Sequence, residues 1–188
     1  MNYVQQSLAP DERLVHIGRF HWLYTIAACF NIFWGVVMAV LILVGSVYVQ
    51  LYTDLRLGAP LGPMDTAWSI MMKLHPGIKI IALLAFVMGL LKFAHMMIVR
   101  FSTEIAVTSS RIIYKRGLVA RYVGEMSIER IEGVNVFQSV LGRLLGFGNI
   151  MIRGLGVGEL ILPPIRDPIK FRRAIEYART IGEKDDKQ

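Results

Sequence analysis

FHWLYTIAACFNIFWGVVMAVLILVGSVYVQLYT, residues 20–53, is a run of 34 positions without an Asp, Glu, Lys or Arg. A bilayer core about 30 Å thick needs only ~20 helical residues to cross it. The run is far longer than the apolar part of a secretory signal and has no small-residue cleavage site, so it reads as a retained anchor. The first crossing is expected over about 22–49. His21, Trp22 and Tyr24 stand at its start and Tyr48 and Tyr52 at its end, where amphipathic rings favour the interface.

A second apolar stretch, IIALLAFVMGLLKFAHMMIV (residues 80–99), follows the break at His75-Pro76-Gly77. With it the expected second crossing covers about 78–99, and residues 1–101 form a two-helix membrane anchor. The two stretches explain a composition that is 54% hydrophobic with a mean hydropathy of +0.49, too apolar for an ordinary soluble domain. Two side chains inside the spans are candidate intramembrane polar contacts. Asn31 is expected to bond across to the second span. Lys92 lies about 18 Å along that span at about 1.5 Å per residue, and its stem can carry the ammonium group back to the interface.

Lys and Arg near the spans set the orientation. Arg13 and Arg19 precede the first span, and Arg56, Lys73 and Lys79 lie in the intervening loop. Arg100, Arg111, Lys115 and Arg116 follow the second, with Lys92 just before. The last group is the largest, so both termini are expected in the cytoplasm. The loop from 51 to 77 is broken by Gly58, Pro60, Gly62 and Pro63. Residues 64–74 are expected to form a short surface helix with Trp68, Ile70, Met71 and Leu74 on its apolar side.

Beyond Phe101 the chain becomes charged and β-rich, with 12 Lys/Arg against 7 Asp/Glu over 102–182. Residues 102–116 read as a hairpin turning at Ser109-Ser110. This pairs Val107 with Ile112 and Ile105 with Tyr114 on one buried face, and Glu104 with Lys115 on the other. After Gly117 a loop of three or five residues keeps Met126 and Ile128 in phase with that face. The three-residue form sets Tyr122 opposite Tyr114 and buries it. Further strands are expected near 131–137, 149–153 and 159–165, with a short apolar helical turn in VLGRLLGFG (residues 140–148). Asp167-Pro168 starts a final helix. Phe171, Ala174, Ile175, Ala178 and Ile181 form its buried stripe, and residues 183–188 a frayed tail. The expected fold is an α+β membrane protein: a transmembrane hairpin followed by a small antiparallel barrel capped by the last helix.

TSSRIIYKRGL (residues 108–118), EMSIERIEGVNVFQSVLGRLLGFGNIMIRG (residues 125–154) and DPIKFRRAI (residues 167–175) together resemble the bacterial pleckstrin-homology-like domain of YdbS-like membrane proteins. ERLVHIGRFHW (residues 12–22) resembles the segment that precedes the first span in that group. The resemblance implies a pleckstrin-homology-like barrel over 102–182, facing the cytoplasm of a bacterial inner membrane behind a two-helix anchor. It implies no catalytic activity.

The residues agree that chemistry is unsupported. Gly154, Gly156 and Gly158 are spaced as GxGxG between two strands, a turn rather than a nucleotide loop. Glu125, Glu129 and Glu132 alternate with basic residues as solvated pairs. His16, His21, His75 and His95 lack metal-ligand spacing, and the lone Cys29 can form neither an internal disulfide nor a cysteine-rich metal site. No cofactor, small-molecule substrate or nucleic-acid partner is implied. Arg111, Lys115, Arg116, Arg121 and Arg143 are candidate contacts to anionic lipid or to a partner protein. The leading expectation is a membrane-anchored, non-enzymatic interaction module that binds an unknown membrane or cytoplasmic protein, or itself. An anionic-lipid sensor is the alternative, and a subunit of an oligomeric transport complex a second one.

Overall fold

The computed structural model describes residues 3–58, 67–118, 122–156 and 158–185. It divides into two compact units: Ile26–Met96, and Met1–Thr25 together with Met97–Gln188.

The first unit is built from two long helices, α2 (Trp22–Arg56) and α4 (Pro76–Ser102), whose ends reach into the other unit, and a short one, α3 (Ala67–Lys73). The helix expected at 64–74 is thus present over 67–73. Ile70 and Leu74 are buried, while residues 64–66 and the Trp68 side chain lie outside the described part. Both long helices are long and apolar enough to cross a membrane, and both run past the expected spans. Only 6% of the most apolar window of α2 and 11% of that of α4 is buried within the chain. Where the helices meet, glycines replace side chains. A Cβ on Gly89 would lie 2.7 Å from the Asn31 carbonyl oxygen and 2.9 Å from Gly35 Cα. Small residues allow this close backbone approach, which dispersion then rewards.

The second unit is the β-rich one, and it contains a strand outside the expected 102–182. Residues before the first long helix form α1 (Tyr3–Ser7) and β1 (Leu14–Gly18). β1 pairs antiparallel with β2 (Glu104–Thr108), Gly18 lying opposite Ile105. β2 pairs with β3 (Arg111–Arg116), and β3 with β4 (Tyr122–Ser127). A second sheet has the order β5 (Ile131–Phe137), β6 (Phe147–Gly154), β7 (Gly158–Arg166). α5 (Val140–Leu145) sits between β5 and β6, and α6 (Pro168–Asp185) follows β7.

Among the described residues the strands form two antiparallel sheets, not one closed ring. At one corner Phe20 bridges Ile165 and the Arg166 amide donates to the Arg19 carbonyl at 2.9 Å. Between the inner faces of the two sheets lies the core: Ile105, Val107, Ile112, Met126, Ile150, Ile152, Leu162 and Ile165, closed by Phe171, Ile175 and Ala178 of α6. Fully burying the Phe171 ring contributes about 1.5–3 kcal/mol.

The hairpin register is as expected, with Val107 opposite Ile112 and Ile105 opposite Tyr114. The other face of this pair is not left to solvent. α1 covers it, so Ala106 and Ile113 are buried against Val4 and Tyr3. The next turn takes the five-residue alternative, with Arg116 opposite Tyr122 and Gly124 opposite Tyr114. Parity is preserved, so Met126 and Ile128 stay inside, but Tyr122 moves to the strand end and is 54% exposed. α6 begins at Pro168 as expected. It continues past Gly182 to Asp185, so the chain expected to fray from 183 is helical there.

Candidate functional site

The basic residues of the hairpins divide by what holds them. Arg111 is bound on three sides. Its Nε and Nη2 donate to the two carboxylate oxygens of Glu12 at 3.0 and 2.9 Å, Nη1 donates to Glu125 at 2.9 Å, and Nη2 also reaches the Ser7 carbonyl at 2.7 Å. Glu12 in turn accepts from the Thr108 hydroxyl (2.6 Å), the Ser110 hydroxyl (2.9 Å) and the Ala9 amide (3.0 Å). Its side chain is only 3% exposed. Burial acts to raise the Glu12 pKa, but the bonds from Thr108, Ala9, Ser110 and Arg111 outweigh it and hold the carboxyl at about 2. Burial also opposes the charge on Arg111, and Glu12 and Glu125 reverse that, raising its pKa. A guanidinium committed to a carboxylate in this forked way is not free for a ligand.

Lys115 is similarly engaged. It lies 3.8 Å from Glu104 and sits over the Tyr3 ring at 4.9 Å. Glu104 accepts from the Val4 amide at 3.2 Å. Arg111 and Lys115 therefore fasten α1 and the segment before β1 onto the first sheet. Arg116 is exposed, with its guanidinium 5.8 Å from the Tyr122 ring centre. Arg121 lies outside the described residues.

Arg143 lies elsewhere, on the rim of an open cleft of about 1210 Å³ between the β5–α5–β6 segment and the start of α6. Lys170, Arg172 and Arg173 share this rim with Asp167 as the acidic member. Asp167 is 3.7 Å from Lys170, and Arg172 pairs with Glu176 at 2.9 Å. Asp167 adopts φ +51°, an uncommon conformation for a residue with a side chain, at the point where β7 turns into α6. The segment above the cleft is tightly built. The Ser139 hydroxyl caps α5 by accepting from the Gly142 amide at 3.1 Å, and Gly146 ends the helix in the left-handed region. The Gln138 side chain donates to the Phe147 carbonyl at 3.0 Å. A Cβ on Gly142 would lie 2.7 Å from that same oxygen, so only glycine lets α5 lie this close. The Phe147 ring contacts His21 at 5.3 Å, one residue before α2 begins.

Of the four candidate cations among the described residues, the cleft thus collects Arg143 alone and adds Lys170, Arg172 and Arg173. These were visible in the sequence only as the polar side of the last helix. In the helical unit the Asn31 amide donates to the Ala27 carbonyl at 2.8 Å and reaches Met96 Sδ on the other long helix at 3.4 Å. Lys92 is exposed on the surface of α4. Among the described residues no group of three or more His, Cys, Asp or Glu is placed to hold a metal ion.

A family model described as Bacterial PH domain matches residues 15–179, from within β1, through both long helices, to α6. No curated protein and no solved structure matches the chain.

Proposed function

The chain belongs to the bacterial PH domain family, and from that premise we propose that it is a membrane-anchored, non-catalytic interaction module working at the inner face of a bacterial membrane. The observation that carries the reading is the pairing of Gly18 with Ile105. The two long helices are inserted between neighbouring strands of one sheet. The intervening segment must leave and return on the same side of any membrane, so α2 and α4 cross together or not at all. Their uncovered apolar surface favours crossing, since such area is not tolerated in water. The excess of Lys and Arg beyond the second helix favours a cytoplasmic PH unit and hence cytoplasmic termini.

Binding rather than chemistry is supported by what the second unit offers. β4 is one of the two outer strands of its sheet, with Tyr122 exposed, and such an edge can accept a strand from a protein partner or from a second copy. The alternative of anionic-lipid contact is favoured by the cations around the cleft. A transport role gains less. The Asn31 amide is already bonded within the helix pair.

Cysteine labelling in intact cells tests the anchored reading, in a Cys29→Ser background with Leu57→Cys in the loop or Arg179→Cys on α6. An impermeant reagent should reach position 57 and not 179. The reverse pattern would overturn the orientation, and labelling of both positions or of neither would overturn the anchoring. For the binding role, in-membrane cross-linking from Tyr122 should give a discrete adduct with one protein or with a second copy. No adduct beyond lipid would favour the alternative.

A further inference from the structure

α5 is built inside out for a protein in water. Its inward position is Gly142, while Val140, Leu141 and Leu144 point away and are 86%, 64% and 81% exposed. Phe137 and Ile169, at 56% and 53% exposed, line the adjoining cleft. The helix is held in this attitude by its capped ends and by Gln138, so the exposure belongs to a well-bonded segment rather than a frayed one. Exposed apolar side chains clustered on one well-bonded helix mark a docking surface.

Two features identify what covers it. The first is position. Phe147, two residues beyond the end of α5, stacks on His21, and α2 starts at the next residue, Trp22. Phe20 is bridged to Ile165 at the start of the same corner. α5 therefore stands at the end of the PH unit from which the first apolar helix departs. The second is charge. Arg143 lies on α5 itself, and Lys170, Arg172 and Arg173 line the adjoining cleft. Apolar side chains flanked by cations are the composition that seats in the headgroup layer of an anionic leaflet, with the cations left among the phosphates.

We propose that α5 dips into the cytoplasmic leaflet at the end of the PH unit where the chain leaves for the first apolar helix, with Val140, Leu141 and Leu144 among the upper acyl chains and Arg143 and Arg173 against anionic headgroups. This rests on the anchored reading above. The contact fixes which face of the PH unit looks at lipid and which at the cytoplasm, so β4 would be offered to partners in a set orientation.

The test uses the full chain in lipid nanodiscs, one copy per disc, with an environment-sensitive fluorophore attached in a Cys29→Ser background. One variant is Leu144→Cys. The control is Leu155→Cys, an equally apolar residue that is 59% exposed just past the far end of β6, a strand ~24 Å long at about 3.4 Å per residue. In discs containing anionic lipid the label at 144 should be several-fold less open to an aqueous quencher than the label at 155, and should be quenched by a lipid-borne nitroxide. Arg143→Glu with Arg173→Glu should reverse most of this protection in anionic discs and change it little in purely zwitterionic ones. A chain that incorporates with its helices across the disc but leaves 144 as open as 155 overturns the proposal and spares the anchored reading. A chain that fails to incorporate overturns both. Protection that appears only with two copies per disc, without lipid-borne quenching, assigns the patch to a second copy instead.

Discussion

Replacing Glu12 by Gln removes one negative charge from a site where it is almost fully enclosed. The substitution keeps the shape of the side chain, so its effect reports on charge. In the folded chain the carboxyl is held at about 2, against 4.5 for a free one. A difference of that size contributes on the order of 3 kcal/mol at neutral pH. Because the folded value lies below the unfolded one, the contribution is complete above about 4.5 and is lost progressively as pH falls toward 2. An enclosed ion pair that loses one partner costs a similar amount, about 3–5 kcal/mol, because Arg111 is left with one carboxylate, Glu125, and the Ser7 carbonyl. Glu12 fastens the segment before β1 to the turn between β2 and β3, so the loss should appear first as opening of β1. Hydrogen exchange of the amides of residues 14–18, in the full chain in detergent or nanodiscs, reads that opening directly. Glu12→Gln should speed their exchange roughly a hundredfold at pH 7, at about 1.4 kcal/mol per factor of ten. The difference from the native chain should shrink at lower pH. Glu132→Gln, an exposed change on β5, should do neither. Exchange within a factor of about three of the native chain at pH 7, with no narrowing at low pH, would refute the idea that this charge locks β1 in place.

Phe171→Ala should destabilise the PH unit by about 3–5 kcal/mol, seen as a lower melting temperature by near-ultraviolet circular dichroism, because its ring is fully buried. Gly89→Val should force α2 and α4 apart, costing about 1–3 kcal/mol and weakening cysteine cross-links between their facing positions. Ser139→Ala should cost about 1 kcal/mol of local stability at α5, read as faster exchange of the Gly142 amide with little change in the core strands. A chain in which a short Gly/Ser linker joins Phe20 directly to Thr103 should fold as a soluble PH unit, whereas residues 102–185 alone should aggregate through the uncovered edge of β2. Equal solubility of the two would count against β1 as a necessary strand.

The parts of the fold that sequence reasoning reached are those in which neighbours in the chain are neighbours in space. An uncharged run of 34 residues has few outcomes other than a long apolar helix. The β2–β3 register followed from parity around a two-residue turn, and parity also limited the next loop to three or five residues. It could not choose between them, since both keep Met126 inside. β1 was out of reach for the opposite reason. LVHIG is five residues long, its partner is separated from it by both apolar helices, and nothing local distinguishes it from the flank of a membrane helix. Glu12 was missed with it, because a carboxylate that meets Thr108, Ser110 and Arg111 does so only once β1 is in the sheet. The site divides in the same way. Arg143 was singled out, but its grouping with Lys170, Arg172 and Arg173 depends on where β7 turns into α6. α5 was legible as an apolar turn, and the outward direction of its leucines was not, because a six-residue helix is too short for periodicity to reveal a face.

The insertion of two apolar helices between β1 and β2 also orders events in time. Synthesis at about 5–20 residues per second leaves β1 waiting several seconds for the strand that completes it. During that interval the chain between them forms the two long apolar helices. The PH unit cannot close its sheet until residue 105 has emerged beside Gly18, by which point both helices have been made. Maturation is therefore gated by geometry, and a closed PH unit on this chain is a record that the helical insert has already been accommodated.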